Sequence, residues 1–199
     1  MGLETMSPSK ERDQRSGERE LLTLMERYQQ GDRDAVDELV RQLSPPLLRF
    51  FVYSRVPPND VEDMLQDCWI RIHRSRHTYQ AGAPVVPWVF AIARHTRLDG
   101  YRKRRRRESR EVLVETLPEV ARPAEPPAAL DPEEFTQLLA DLPESQREVI
   151  LMLKVSGMSL EEVARATSST LGAIKQKAHR AYTKLRQVLE RQAQQKEGR

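Results

Sequence analysis

The sequence predicts an all-α chain of two small helical domains joined by an acidic, proline-rich linker. Three observations carry this expectation. Apolar residues recur at helical spacing along most of the chain, and no convincing run alternates with period 2. Only 8 glycines and 6% aromatics occur in 199 residues, which disfavours a strand-rich fold with many tight turns. Between two helical stretches lies Glu111 to Glu134, with seven acidic residues, one basic residue and five prolines. Proline density and self-repelling charge make that stretch a poor helix and a good extended linker. Its 24 residues could reach roughly 80 Å if fully extended. The expected layout is a disordered tail over 1–17, a first domain over 18–107, a linker over 108–133, a second domain over 134–192 and a tail over 193–199.

In the first domain, Leu21, Leu22, Leu24, Met25 and Tyr28 predict a helix ended by Gly31. A second holds Ala35, Val36, Leu39, Val40 and Leu43 and is expected to stop at Pro45-Pro46. A third carries Leu47, Leu48, Phe50, Phe51 and Val52. The clearest helix follows, with Val61, Met64, Leu65, Cys68, Trp69 and Ile72 forming one apolar stripe opposite Glu62, Asp63, Gln66, Asp67, Arg71 and Arg74. A loop from Tyr79 to Pro84 leads into a last helix that runs from about Val86 into the arginine run. In the second domain, Phe135, Leu138, Leu139 and Leu142 form a short stripe. Pro143 suits the first position of the next helix, which buries Val149, Ile150 and Leu153 and ends at Gly157. Ser159-Leu160-Glu161-Glu162 reads as a capping box opening a short helix with Leu160, Val163 and Ala164. After the polar stretch Thr167 to Thr170, a longer basic helix is expected from near Ser169.

Composition excludes several classes. The single cysteine, Cys68, rules out an internal disulfide framework and a cysteine-rich zinc site. The longest mostly apolar run, Ala83 to Ala93, is far short of the roughly 20 residues of a membrane helix. The N-terminus has no apolar signal core, so a cytoplasmic protein is expected. The net charge of +3 is a cancellation. Tyr101 to Arg110 holds seven basic residues and one acidic, directly before the acidic linker.

A capped short helix, a tight polar turn and a basic second helix form a helix-turn-helix, in which the second helix enters the DNA major groove. From Arg165 to Arg191 there are seven basic residues and one acidic, Glu190. That balance gains by displacing counterions from phosphates. Gln suits adenine and Lys or Arg suits guanine by donor and acceptor geometry.

Over these residues the chain resembles a known family. The run LPESQREVILMLKVSGMSLEEVARATSSTLGAIKQKAHRAYTKLRQVL resembles region 4 of the sigma-70 family of transcription initiation factors. GDRDAVDELVRQLSPPLLRFF, DVEDMLQDCWIRIHR and PWVFAIARHTRLDGYRKRRRR together resemble region 2. The match covers about three quarters of the chain, in the right order around a linker, and leaves no segment for regions 1.1 or 3. That layout is similar to the extracytoplasmic-function (ECF) group.

The resemblance implies roles. The D-x-x-Q-D/E pattern, here Asp63, Gln66 and Asp67 with His73 nearby, corresponds to the helix that grips the clamp coiled coil of the RNA polymerase β′ subunit. Trp69 shares the apolar stripe and is expected to be buried. The helix from Pro87 to Arg107 corresponds to the part that reads and opens the −10 element, and the loop Tyr79 to Pro84 to the one that captures a flipped base. The −10 set is Tyr79, Gln80, Trp88, Arg94, His95, Arg97, Arg102, Lys103, Arg104 and Arg105. Trp88 reads first as core, and Asp99 has two readings, DNA-facing or held in an internal ion pair. The arginine run is a phosphate contact that positions without specifying sequence. For the −35 element the matching residues are Lys175, Gln176, His179 and Arg180, with Ser169 capping their helix. Implied partners are core RNA polymerase through the β′ clamp and β flap, promoter DNA, and an anti-sigma factor, membrane-embedded in some members. The linker has two readings: an RNA mimic in the basic polymerase channels or a plain solvated spacer.

No catalysis and no cofactor are expected. His73 and His77 stand at i, i+4 with no third metal ligand near in sequence. Neither a phosphate-binding glycine loop nor a G-x-S-x-G motif occurs, and Cys68 reads as core. Two other classes compete: a plain helix-turn-helix regulator, and a sigma mimic that sequesters an anti-sigma factor. The basic promoter face argues against the mimic.

Overall fold

The computed structural model describes residues 8–108 and 132–197. Eight α-helices occur among them: α1 Pro8–Gln29, α2 Arg33–Tyr53, α3 Pro58–Ser75, α4 Val85–Glu108, α5 Pro132–Ala140, α6 Glu144–Lys154, α7 Leu160–Ala166 and α8 Leu171–Glu197. A 3-10 turn, Arg76–Thr78, follows α3. No strand is present among the described residues, as the all-α expectation requires. Of the linker expected over 108–133, residues 109–131 lie outside them, while 108 closes α4 and 132–133 open α5.

Helices α1 to α4 pack as a bundle, each touching the next and α4 returning to α1. Their core holds Met25, Leu39, Leu47, Phe50, Phe51, Ile72 and Phe90, all essentially inaccessible. Phe50 meets Phe90 edge-on at 5.5 Å between ring centres. Cys68 is in this core, where burial pushes its thiol up to about 12. Gly100 of α4 faces Met64 of α3 so closely that a Cβ there would meet the methionine methyl at 2.6 Å.

Two expectations about this bundle change. α1 reaches back to Pro8, into the stretch expected as a tail over 1–17. Residues 10–20 are mostly Lys, Arg, Glu and Gln, good helix formers that propagate a helix already anchored by Leu21, Leu24, Met25 and Tyr28. α2 also continues through Pro45 and Pro46 instead of stopping there. Each interior proline costs about 3 kcal/mol. The buried stripe stays in phase across the pair, with Leu39 and Leu43 before and Leu47, Phe50 and Phe51 after. Full burial of each such side chain stabilises by about 1.5–3 kcal/mol, so together they outweigh the break.

Helices α5 to α8 form the second unit around Leu139, Ile150, Leu151, Met152, Val163 and Ile174. The capping box on α7 is present in both directions: Ser159 Oγ accepts from the Glu162 amide at 3.2 Å and the Glu162 carboxylate from the Ser159 amide at 2.7 Å. Pro143 sits at the cap of α6, one position before its expected place. Arg147 is buried and donates to the carbonyls of Leu139, Ala140 and Leu142, at 2.9, 3.3 and 2.8 Å. It thereby satisfies the open C-terminal end of α5 and the turn after it. Arg147→Ala is expected to destabilise this unit by about 2–3 kcal/mol, because buried carbonyls lose their charge-assisted donors. Denaturant unfolding checks this; a change below about 0.5 kcal/mol contradicts it.

Candidate nucleic-acid and polymerase interface

α3 separates its residues cleanly. Val61, Met64, Cys68 and Ile72 face the core, while Asp63, Gln66 and Asp67 are exposed on the opposite side. Trp69 is half-buried and its indole N–H donates to Ser44 Oγ at 3.0 Å, so it serves packing. The expected His73 is exposed at its edge, yet its Nδ1 is hydrogen-bonded with the Tyr28 hydroxyl at 2.9 Å. It ties α3 to α1. Ile70 is 41% exposed and stands one turn beyond Gln66. The sequence pattern did not single it out, although its place outside the apolar stripe was the available signal. Asp63, Gln66, Asp67 and Ile70 make a face that offers carboxylates, an amide and an apolar contact to another helix.

α4 does not present its basic residues uniformly. His95, Arg102, Lys103 and Arg105 are exposed. Arg104 is held by an ion pair with Asp60 of α3. Asp99 takes the internal reading: it pairs with Arg71 at 2.7 Å and, less closely, with Arg102 at 3.5 Å. The neighbouring Arg71 guanidinium keeps the Asp99 carboxyl below the usual carboxylate range. Tyr101 is exposed beside Arg102, an aromatic that the family pattern alone did not mark.

Arg94 and Arg97 point at the second unit. Arg97, with 9% of its side chain exposed, binds Glu144 at 2.6 Å through Nη1 and Glu148 at 3.0 Å through Nη2. Arg94 Nε binds Glu148 at 3.1 Å. Glu148 is itself 10% exposed. Both carboxylates lie on α6, some fifty residues away in sequence. Around this clasp, Tyr53 of α2 packs edge-on against Phe135 of α5 at 5.0 Å, and Arg55 donates to the Ala140 carbonyl at 2.8 Å. α4 also rests on α7.

The loop between α3 and α4 is built around Tyr79. This residue is buried, not displayed. Its hydroxyl donates to the Ala83 carbonyl, and its ring meets the half-buried Trp88 edge-on at 5.5 Å. Burial pushes the Tyr79 phenol up to about 12. Gln80 and Ala81 are exposed at the tip, with Gly82 at φ +79°.

On α8, Lys175, Gln176, His179 and Arg180 are all exposed on one face, while Ile174, Ala178 and Ala181 are buried on the other. The expected cap is corrected. α8 begins at Leu171, and Thr170 Oγ1 accepts from the Ala173 amide at 3.2 Å. Ser169 instead directs its hydroxyl to the Thr167 carbonyl at 3.4 Å. Both residues are hydroxyl-bearing, so sequence alone did not separate them; Ser168 at φ +51° sets the turn one residue later. No group of three metal-binding side chains occurs among the described residues.

Two all-helical units, one ending in a capped helix-turn-helix with a basic outer face, define a class of DNA-binding transcription factor. Sigma-70 region 2 matches residues 39–107 and Sigma-70 region 4 matches residues 133–185. The chain is 31% identical over 168 residues to the RNA polymerase sigma factor CarQ of Myxococcus xanthus, covering 83% of this chain and 95% of that protein. It is 32% identical over 177 residues to the ECF RNA polymerase sigma factor SigF of Caulobacter vibrioides, covering 87% and 96%. Among solved structures it resembles the sigma factor RpoE of Bartonella quintana, determined in complex with the anti-sigma factor NepR. That likeness has a TM-score of 0.65 and 28% identity, over 80% of this chain and 98% of that one. The chain belongs to the ECF group of the sigma-70 family of transcription initiation factors.

The clasp makes a specific energetic prediction. Removing one partner of a buried ion pair leaves the other charge uncompensated and costs about 3–5 kcal/mol. Arg97→Ala and Glu148→Ala are each expected to destabilise the docked arrangement by that order. The double variant should cost less than the sum by about 1 kcal/mol or more. A denaturant double-mutant cycle reads this; strict additivity contradicts the pairing.

Proposed function

We propose that this sigma factor engages core RNA polymerase through the exposed face of α3 and promoter DNA through α4 and α8, from a docked state in which α4 is partly occupied. Residues 18–107 act as the polymerase-binding and −10 unit, and residues 134–192 as the −35 unit. Asp63, Gln66 and Asp67 contact the β′ clamp, with Ile70 adding apolar area to the same patch. Lys175, Gln176, His179 and Arg180 enter the major groove at the −35 element. His95, Arg102, Lys103 and Arg105 meet the −10 region, with the loop around Gln80 taking an unstacked base. The second unit also contacts the β flap.

The observation that carries this reading is the division of exposed chemistry. Acid and amide groups stand together on α3, whereas cations and an amide stand together on α8. DNA would be repelled by the first patch and attracted by the second. The chain works as a binding subunit in the cytoplasm, and RNA synthesis is the polymerase's chemistry. No helix among the described residues is long and apolar enough to cross a membrane.

Arg94 and Arg97 add a condition. The Arg97 side chain is about nine-tenths buried against Glu144 and Glu148, so DNA phosphates cannot reach its guanidinium in the docked form, whereas Arg94 has only its Nε engaged by Glu148. A −10 role for Arg97 therefore requires the two units to separate, and separation would also release the Arg94 Nε. The likeness to a sigma factor solved with an anti-sigma factor supports a comparable protein partner for this chain, which would act on the exposed promoter or polymerase faces.

Gln66→Ala with Asp67→Ala is expected to weaken binding to core polymerase at least tenfold while leaving the unfolding midpoint unchanged. Fluorescence anisotropy with labelled protein measures it; equal affinity would remove α3 from the polymerase interface. Lys175→Ala with Arg180→Ala should lower promoter-directed run-off transcription while core binding persists. The log–log salt dependence of promoter binding should become shallower by about one unit for each phosphate no longer neutralised. Unaltered transcription would mean that α8 is not the recognition helix.

A further inference from the structure

The loop that joins α3 to α4 is braced from outside, and the brace is α1. Gln29, near the end of α1, donates its amide to the Arg76 carbonyl at 2.7 Å and to the Tyr79 carbonyl at 3.0 Å. Tyr28, its neighbour, bonds His73 just before the 3-10 turn. Three turns back along the same helix, Glu18 accepts the Val85 amide at 2.7 Å, at the start of α4. The incoming and outgoing ends of the loop are therefore both held by one rigid rod.

Within the loop, the Tyr79 hydroxyl closes on the Ala83 carbonyl, and the Ala83 amide closes on the Gln80 carbonyl at 3.0 Å. Gln80 and Ala81 project from this base into solvent. A loop so held has little freedom at its root and a displayed tip. Placing a ligand-contacting loop on a supporting shell of hydrogen bonds is what gives such a site its geometric precision.

α1 ends at Gln29, and the family match to region 2 begins at residue 39. The family model thus covers the loop but not the rod that braces it, although the match to SigF, over 87% of this chain, reaches into α1. We infer that α1 is a positioning strut for the base-capture loop, with Gln29 and Glu18 as the positioning residues that set how sharply the promoter base at that loop is discriminated. This rests on the proposed function, in which the loop takes an unstacked base.

The chemistry of the two contacts yields variants that separate positioning from bulk. Gln29→Glu keeps size but replaces the donor amide with a carboxylate facing two carbonyl oxygens. Glu18→Gln keeps an oxygen that can accept the Val85 amide, whereas Glu18→Ala does not. The experiment uses the full chain with core polymerase and four promoters that differ only in the base held by the loop. The readout is the ratio of run-off transcript from the best to the worst base. With holoenzyme kept well below saturation of every promoter, the ratio does not depend on the fraction of protein that is folded or bound to core, so a merely destabilised variant leaves it unchanged.

Gln29→Glu and Glu18→Ala are expected to compress the ratio about fivefold or more, and Glu18→Gln to retain it. A control variant, Gln80→Gly with Ala81→Gly, alters the tip itself. If the tip variant changes the ratio while Gln29→Glu and Glu18→Ala leave it intact, the strut is overturned and the loop's role stands. If the tip variant also leaves the ratio intact, the loop does not read a base and both conclusions fall.

Discussion

Arg97 sits between two carboxylates of the other unit, and the arrangement of the whole chain turns on that contact. The guanidinium and Glu148 are both about nine-tenths buried. Taking them out of water costs several kcal/mol each, and their mutual attraction roughly repays it. The Arg97 Nε has no hydrogen-bond partner among the described residues, which weakens the balance further. Such a contact specifies how the units dock more than it stabilises them. Tyr53 against Phe135 and Arg55 on the Ala140 carbonyl supply further docking contacts. A clasp with little net stability suits a protein that must exchange one set of partners for another. Polymerase and DNA need only bind the separated form better by the free energy of docking to shift the population toward it.

The same economy explains why the basic residues of α4 are not equivalent. Arg104 and Arg102 lie near carboxylates of the first unit, and Arg94 and Arg97 near carboxylates of the second. His95, Lys103 and Arg105 are exposed along the same helix. On the proposed reading, initial attraction to DNA can therefore arise before the units part, and use of Arg97 follows separation. α8 needs no such rearrangement, since its four candidate DNA-contacting residues are exposed in the docked form. The acidic face of α3 is equally available.

Much of this was legible in the sequence because it depends on local rules. The stripe on α3, the capping box on α7 and the two faces of α8 follow from helical periodicity and terminal hydrogen bonding, which act over a few residues. The breaks were harder. Pro45-Pro46 reads locally as a stop, and only the buried stripe on both sides keeps α2 continuous. Thr170 and Ser169 are chemically alike, so the cap depended on where the turn placed each hydroxyl. The clasp was not legible, because Arg97 and Glu148 are joined only by tertiary packing across the linker. The bracing of the loop by Gln29 was hidden for the same reason, since an amide bound to two backbone carbonyls leaves no pattern in sequence.

Arg97, enclosed by Glu144 and Glu148 of α6, cannot hold promoter DNA while the two units are docked. The most direct measurement is a distance between the units, read by energy transfer between dyes on Glu62→Cys and Thr183→Cys, both at exposed positions. Native Cys68 is buried and its thiol is pushed up to about 12, so it stays unlabelled in the folded protein. The free chain should give a single short distance, replaced by a longer one when core polymerase and promoter are added together. Glu148→Ala should populate the longer distance without either partner. A promoter complex that keeps the short distance of the free chain would contradict the account.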